Sequence, residues 1–183
     1  MDHSDAYYMY YLAILCPPSL DKKILVYKHW MRDQFGCTAA LKSPAHITLI
    51  PPCWISRNRE PALLHLLDQF ETKSSPGEIY LSGFSAFSKN VLFVSVLHNP
   101  SLIEIRNNFI AHFRKEFTKE ISADEKAFHP HITIATRDMK PAQFDKAREY
   151  FSGISFEESF IPLSVSIMKL LNGSWYQIAE KLL

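Results

Sequence analysis

Apolar runs broken by proline alternate along this chain with stretches whose apolar positions recur every three or four residues. Residues 7–15 are almost wholly aromatic and aliphatic and run into Pro17-Pro18, which predicts a buried strand ending in a turn. Leu20, Ile24, Tyr27 and Met31 then fall on one face of a helix that begins near Ser19 and ends near Gly36. A second strand is expected over 45–50, bounded by Pro44 and Pro51-Pro52. Pro61 suits the first turn of a helix carrying Leu63, Leu67 and Phe70, and 78–87 reads as the next strand.

The same order then recurs. Residues 91–97 form a short apolar strand and Asn99-Pro100 breaks it. Ser101, with Glu104 three residues later, has the form of a capping box for a helix striped by Ile105, Phe109, Phe113 and Phe117. A strand at 132–135, a helix over 141–151 and a tail of two or three strands over 154–183 complete the pattern. Asn172-Gly173 is the expected hairpin turn between 165–171 and 175–179.

The recurrence extends to the letters. Residues 12–20 align with 94–102 at an offset of 82, and Ala45-His46-Ile47-Thr48-Leu49 aligns with Pro130-His131-Ile132-Thr133-Ile134 at 85, so a three-residue insertion in one connection reconciles the two. The chain therefore reads as a duplicated strand–helix–strand unit of the α+β class, with copies over about 7–88 and 90–183. At 183 residues, 1–183 is expected to be a single domain of two pseudo-twofold-related lobes, because half of it would be marginal alone.

Composition narrows the partners. With 47% hydrophobic and 21% charged residues the chain can bury a sizeable core, which excludes disordered, collagen-like and coiled-coil classes. Twenty basic against nineteen acidic residues leave a net charge of +1, so no whole-surface field holds a long polyanion, and a nucleic-acid partner must be gripped locally. Cys16, Cys37 and Cys53 are odd in number and lack C-x-x-C spacing, fitting a reduced, cytoplasmic setting, and the chain is expected to be a monomer. The apolar stretch 6–16 follows Asp2 and Asp5, without the basic residues and cleavage site of a signal peptide, and no apolar run approaches membrane-spanning length.

The chemistry lies in the two His-x-Thr strands. Such a pair is expected fewer than once by chance in this composition, yet two occur at matching places in the repeat. Residues i and i+2 of a strand share a face, so His46 projects with Thr48 and His131 with Thr133. If the copies pack about a twofold axis, two imidazoles and two hydroxyls meet in one cleft. One neutral histidine can take a proton, a protonated one can give it, and the hydroxyls can donate to oxygens gathering negative charge. Phosphodiester transfer or hydrolysis needs these roles and need not use a metal, so no cofactor is expected.

His46-Ile47-Thr48-Leu49 and His131-Ile132-Thr133-Ile134, in a duplicated chain of this length, resemble the 2H phosphoesterase superfamily, which includes the bacterial 2',5'-RNA ligase-like proteins and cyclic nucleotide phosphodiesterases. The resemblance covers about 7–183. It implies two lobes of mostly antiparallel sheet with outer helices, and metal-independent chemistry on 2',3'-cyclic phosphates or 2',5' linkages of nucleotides or RNA ends. It also implies His46 and His131 as the acid/base pair and Thr48 and Thr133 as phosphate ligands.

Members often carry Arg or Tyr five residues after the second histidine. Here Thr136 stands there and Arg137 follows; strand parity puts Arg137 on the face of His129, His131, Thr133 and Ala135, so Thr136 and Arg137 are both substrate-binding candidates. Among Tyr7, Tyr8, Tyr10 and Tyr11, which a buried strand would place largely in the core, Tyr10 is the candidate for stacking on a base. Two alternatives stand beside the enzyme: a metal held by His129 and His131, for which no third ligand is evident, and a non-catalytic nucleotide- or RNA-binding module that keeps the cleft.

Overall fold

The proline-bounded apolar runs and the helical stripes fold, in a computed structural model describing residues 6–72, 76–88, 90–121 and 128–183, into two four-stranded antiparallel sheets flanked by helices. Asp2 and Asp5 lie outside the described residues. Strand β1 (Tyr7–Leu15) leads into α1 (Pro18–Phe35), a short helical turn (Ala39–Lys42), β2 (His46–Ser56) and α2 (Glu60–Asp68). The second stretch runs β3 (Ile79–Phe87), β4 (Val91–Val96), α3 (Pro100–Phe113), β5 (His131–Ala135), α4 (Pro141–Ser152), β6 (Glu157–Phe160), β7 (Ser164–Leu171) and β8 (Ser174–Leu182).

The sheet orders are β2-β1-β7-β8 and β5-β4-β3-β6. The strand–helix–strand units β1-α1-β2 and β4-α3-β5 thus occupy matching places, each ending on a His-x-Thr strand at a sheet edge. The sheets do not follow the 7–88 and 90–183 division read from the sequence. β3, which ends the first sequence copy, pairs with β4 and β6, while β7 crosses back to β1 and carries β8 on its far edge. The hydrophobic runs fix that strands form, but their partners are set by long-range burial.

Three local expectations change. β2 continues through Pro51 and Pro52 to Ser56, because it is an edge strand: the missing N–H groups fall in a bulged stretch between the Leu12–Ile50 and Tyr10–Cys53 pairs. Helix α3 begins at Pro100, and Asn99 caps it by accepting from Leu102 N at 2.9 Å, so Ser101 is helical and the capping box does not form. The helix also stops at Phe113, and Phe117 reaches the core from the turn that follows. Gly36 ends α1 with φ 72°, a left-handed C-cap suited to glycine, and Asn172-Gly173 makes the expected hairpin turn with φ 50° and 79°.

One contiguous apolar cluster joins residues of both sheets, from Leu12 and Ile14 of β1 and Ile24 of α1 to Phe109 of α3 and Ile132 of β5. The helices cross between the halves: α1 packs against β5, α3 packs against β2, and β2 meets β5 directly. The two motif strands are therefore brought side by side, with the His-x-Thr faces of β2 and β5 turned away from the core. Among the described residues, no helix is long and apolar enough to cross a membrane.

Candidate active site

Each His-x-Thr strand alternates as its sequence requires. Ile47 and Leu49 are buried while His46 and Thr48 stay partly exposed, and Ile132 and Ile134 are buried while His131 and Thr133 stay partly exposed. Both histidines are anchored in the same way. His46 Nδ1 lies 2.8 Å from the carbonyl of Pro44, and His131 Nδ1 lies 2.8 Å from the carbonyl of His129. A carbonyl can only accept, so Nδ1 carries the proton and donates it, and a neutral ring keeps its lone pair on Nε2.

A single cavity is lined by His46 and Thr48 of β2, Thr133 of β5, and Thr136 and Arg137 beyond it. His131 sits two residues up the same strand face as Thr133, with its ring 4.9 Å from Phe87 and 5.0 Å from Phe93. Its charge is near enough to oppose protonation of His46. Burial is the main force on His46 and pulls its pKa down to about 4; Lys28 and His131 push the same way, against the Pro44 carbonyl and Asp21. His131 is also lowered, by burial and then by His129, against the carbonyl it donates to. Both shifts favour the neutral ring near pH 7.

Arg137 arrives by a different route from the one parity suggested. β5 ends at Ala135, which is buried, and Arg137 takes φ 39°, a left-handed conformation that costs a non-glycine residue energy. The turn holding it is tied to the other half of the chain. Asp138 Oδ2 accepts from Thr38 N at 2.6 Å and Ala39 N at 2.8 Å, and the Asp138 amide donates back to the Thr136 carbonyl.

Tyr10 is not in the site. It is fully buried, and its hydroxyl donates to Glu60 Oε2 at 2.6 Å on the core side of the sheet, where Lys169 also reaches that carboxylate. Its neighbour Tyr11 has the opposite strand parity and faces the cavity, stacked on the His46 ring at 4.8 Å and edge-on to Trp175 at 4.5 Å. The Tyr11 hydroxyl is buried beside Ser43, and burial raises its pKa, so it stays protonated. The sequence pattern assigns Tyr11 to the largely core-facing aromatic cluster with Tyr10 as the stacking candidate, and it does not single out Ser43 or Trp175. The repeat offset of 82 pairs Tyr11 with Phe93, so each motif histidine lies against the aromatic residue that the preceding strand supplies at the same position. Trp175 carries no comparable signal, since its strand joins β1 only through the long return of β7 and β8.

Two four-stranded sheets with helices crossing between them, and one His-x-Thr strand from each half meeting at the seam, define the architecture of the 2H phosphoesterases. The sequence pattern of the 2'-5' RNA ligase superfamily matches residues 17–173, and the chain belongs to that superfamily. No curated protein matches it significantly. Among solved structures, it is similar to the TT0787 protein of Thermus thermophilus, with TM-score 0.67 and 15% identity over 96% of this chain and 97% of that one. It is also similar to E. coli LigT complexed with ATP, with TM-score 0.65 and 19% identity over 97% of this chain and 99% of that one. The MHV ns2 PDE domain has TM-score 0.58 and 12% identity over 90% of this chain and all (100%) of that one. At these identities the likeness is one of fold.

Proposed function

We propose that the chain is a metal-independent phosphoesterase, hydrolysing 2',3'-cyclic phosphates or making and breaking 2',5' linkages of nucleotides or RNA ends, with His46 and His131 as the acid/base pair. The observation that carries this reading is the matched anchoring of the two rings. Each Nδ1 donates to the carbonyl two residues earlier, so each ring keeps its Nε2 free of that anchor for chemistry on a bound phosphate. An anionic phosphate between them favours protonation of one ring, converting a neutral pair into a base and an acid.

In hydrolysis, one Nε2 takes a proton from water as the water oxygen bonds to phosphorus, and the other gives its proton to the ribose oxygen as the ring P–O bond breaks. In the ligation direction, a 5'-hydroxyl replaces water. Thr48 and Thr133 donate to the non-bridging oxygens, which gain charge in the transition state, and Arg137 with Thr136 binds the same group from the turn after β5. E. coli LigT has been crystallised with ATP, with 3'-AMP and with NADP+, and we take a small nucleotide or RNA end as the substrate class here also. We take the chain to act as a monomeric domain spanning 1–183, and three free, buried cysteines suit a reducing cytoplasm.

The test is turnover of a panel of 2',3'-cyclic nucleotides and a 2',5'-linked dinucleotide, with and without EDTA. The expected result is EDTA-insensitive hydrolysis with a bell-shaped pH profile, the 2'- or 3'-phosphate product naming the leaving oxygen. Binding without turnover would make the chain a binding module, and EDTA-sensitive turnover would make it a metallohydrolase.

A further inference from the structure

The two motif histidines share an anchor, yet the segment that carries the first one is itself held by a helix. Residues 43–45, leading into β2, are gripped at both ends from α1: Lys28 Nζ donates to the Ser43 carbonyl at 2.9 Å, and the Ala45 amide donates to Asp21 Oδ1 at 2.6 Å. From the end of β1, Cys16 N donates to the Ala45 carbonyl at 2.9 Å. Pro44, whose carbonyl orients His46, lies between these grips. Lys28 is only 2% exposed, and a buried ammonium is costly where methionine would fill the space.

The repeat provides an internal comparison. α1 begins at Pro18 and α3 at Pro100, 82 positions on, and the same offset takes Asp21 to Ile103 and Lys28 to Ile110. The second copy carries two apolar residues where the first carries opposite charges.

We propose that Lys28 and Asp21 are positioning residues that fix the 43–45 segment behind His46, and that the buried Lys28 charge on that segment reserves His46 for accepting the proton, leaving His131 to donate. The assignment rests on the two-histidine reading above and gives its halves distinct roles. His46 Nε2 takes the proton of the attacking water as the new O–P bond forms. Protonated His131 gives its proton to the departing ribose oxygen, and exchange with solvent returns both rings to their starting states. The charged and titratable groups around His46 are Lys28 and Asp21 from α1, His131 from β5, Tyr11 from β1 and Arg137 across the cavity. Lys28 opposes a positive charge on His46 and Asp21 favours it.

The test follows the His46 and His131 ring signals by NMR titration of the full chain, with Lys28→Met and with Asp21→Asn, whose amide oxygen still accepts from Ala45. Lys28→Met should raise the His46 midpoint and Asp21→Asn should lower it, each by at least a few tenths of a pH unit, with His131 moving less. The rising limb of the kcat/KM profile should follow His46. Lys28→Gln, which removes the charge and keeps a donor, replaces Lys28→Met if that variant does not fold.

Loss of packing alone would move both variants the same way. Shifts in one direction, no shifts, or a rising limb that follows His131 would overturn the assignment. A wild-type chain that turns over no cyclic phosphate or 2',5' linkage, while His46 still shifts in opposite directions, would overturn the proposed activity and keep the charged mount. An active chain with an unmoved His46 would overturn the mount alone.

Discussion

Replacing Asp138 by alanine should cost activity although the carboxylate is spent outside the cavity. Its Oδ2 accepts from the backbone amides of Thr38 and Ala39 at 2.6 and 2.8 Å, tying the turn after β5 to a segment one hundred residues earlier. Inside that turn Arg137 is held at φ 39°, a conformation that costs a non-glycine residue about 1–3 kcal/mol and persists only where surroundings enforce it. Two charge-assisted hydrogen bonds are worth roughly 1.5–3 kcal/mol each when enclosed, but Asp138 is exposed and water replaces much of them. The expected stability loss is therefore only about 1 kcal/mol.

The larger effect falls on turnover, because release of the strain lets Arg137 leave the cavity wall. A guanidinium–phosphate contact of about 1.5–3 kcal/mol corresponds to roughly a 10- to 150-fold loss in kcat/KM. Arg137→Ala removes the same contact directly. If Asp138 acts through Arg137, adding Asp138→Ala to Arg137→Ala should lower kcat/KM little further. The assay is initial rates on 2',3'-cyclic nucleotides below saturation for both single variants and the double, beside urea unfolding of each. Full activity in Asp138→Ala, or losses that multiply in the double variant, would refute the reasoning.

Other outcomes follow from the same geometry. His46→Ala and His131→Ala should each lower kcat by about 10²- to 10⁴-fold with folding retained, and a double variant with full turnover would exclude the acid/base pair. Tyr10→Phe should cost about 1 kcal/mol of stability through its lost bond to Glu60 and leave kcat/KM unchanged, since Tyr10 faces the core. Tyr11→Ala should cost about 3 kcal/mol or more and also depress turnover, because it empties the space against the His46 ring; unchanged rates would show that the stack positions nothing. Stability should fall with acidification. His46 titrates near 4 in the folded chain and near 6.5 unfolded, so between these values the unfolded chain binds more protons. A contribution of up to about 3 kcal/mol, complete above pH 6.5, is lost toward pH 4. Urea midpoints for wild type and His46→Asn from pH 7 to pH 4 would reveal it as a steeper fall in the wild type.

The parts of the site legible in the sequence were those that follow from local period and internal repetition. His46, Thr48, His131 and Thr133 announce themselves because a strand period of two fixes their shared face and the repeat places both pairs alike. Parity also separates Tyr11 from Tyr10, but only once the inward face of β1 is known, and a strand buried on both faces gives no such cue. Parity fails at Arg137 because it assumes that the strand continues, whereas β5 ends at Ala135 and the turn is imposed by Asp138 across the chain. Strand partners were the least legible: β3 reads as the end of one copy and pairs with the start of the other, a choice made by which faces bury each other.

Duplication also explains why an otherwise costly buried lysine fits the chemistry proposed here. Two equal copies meeting at one seam supply two equivalent histidines, whereas transfer of a proton in and a proton out needs unequal ones. Substrate charge can protonate either ring, so symmetry alone would leave half the encounters with acid and base reversed relative to the leaving oxygen. A charge built into one copy and absent from the other breaks that equivalence before substrate arrives. Lys28, buried behind the Ser43–Ala45 segment and matched by Ile110 in the second copy, is such a charge, and Asp21, which acts the other way, has the smaller effect on His46. Its desolvation reduces the stability of the fold, and in return one imidazole stays reserved as the base.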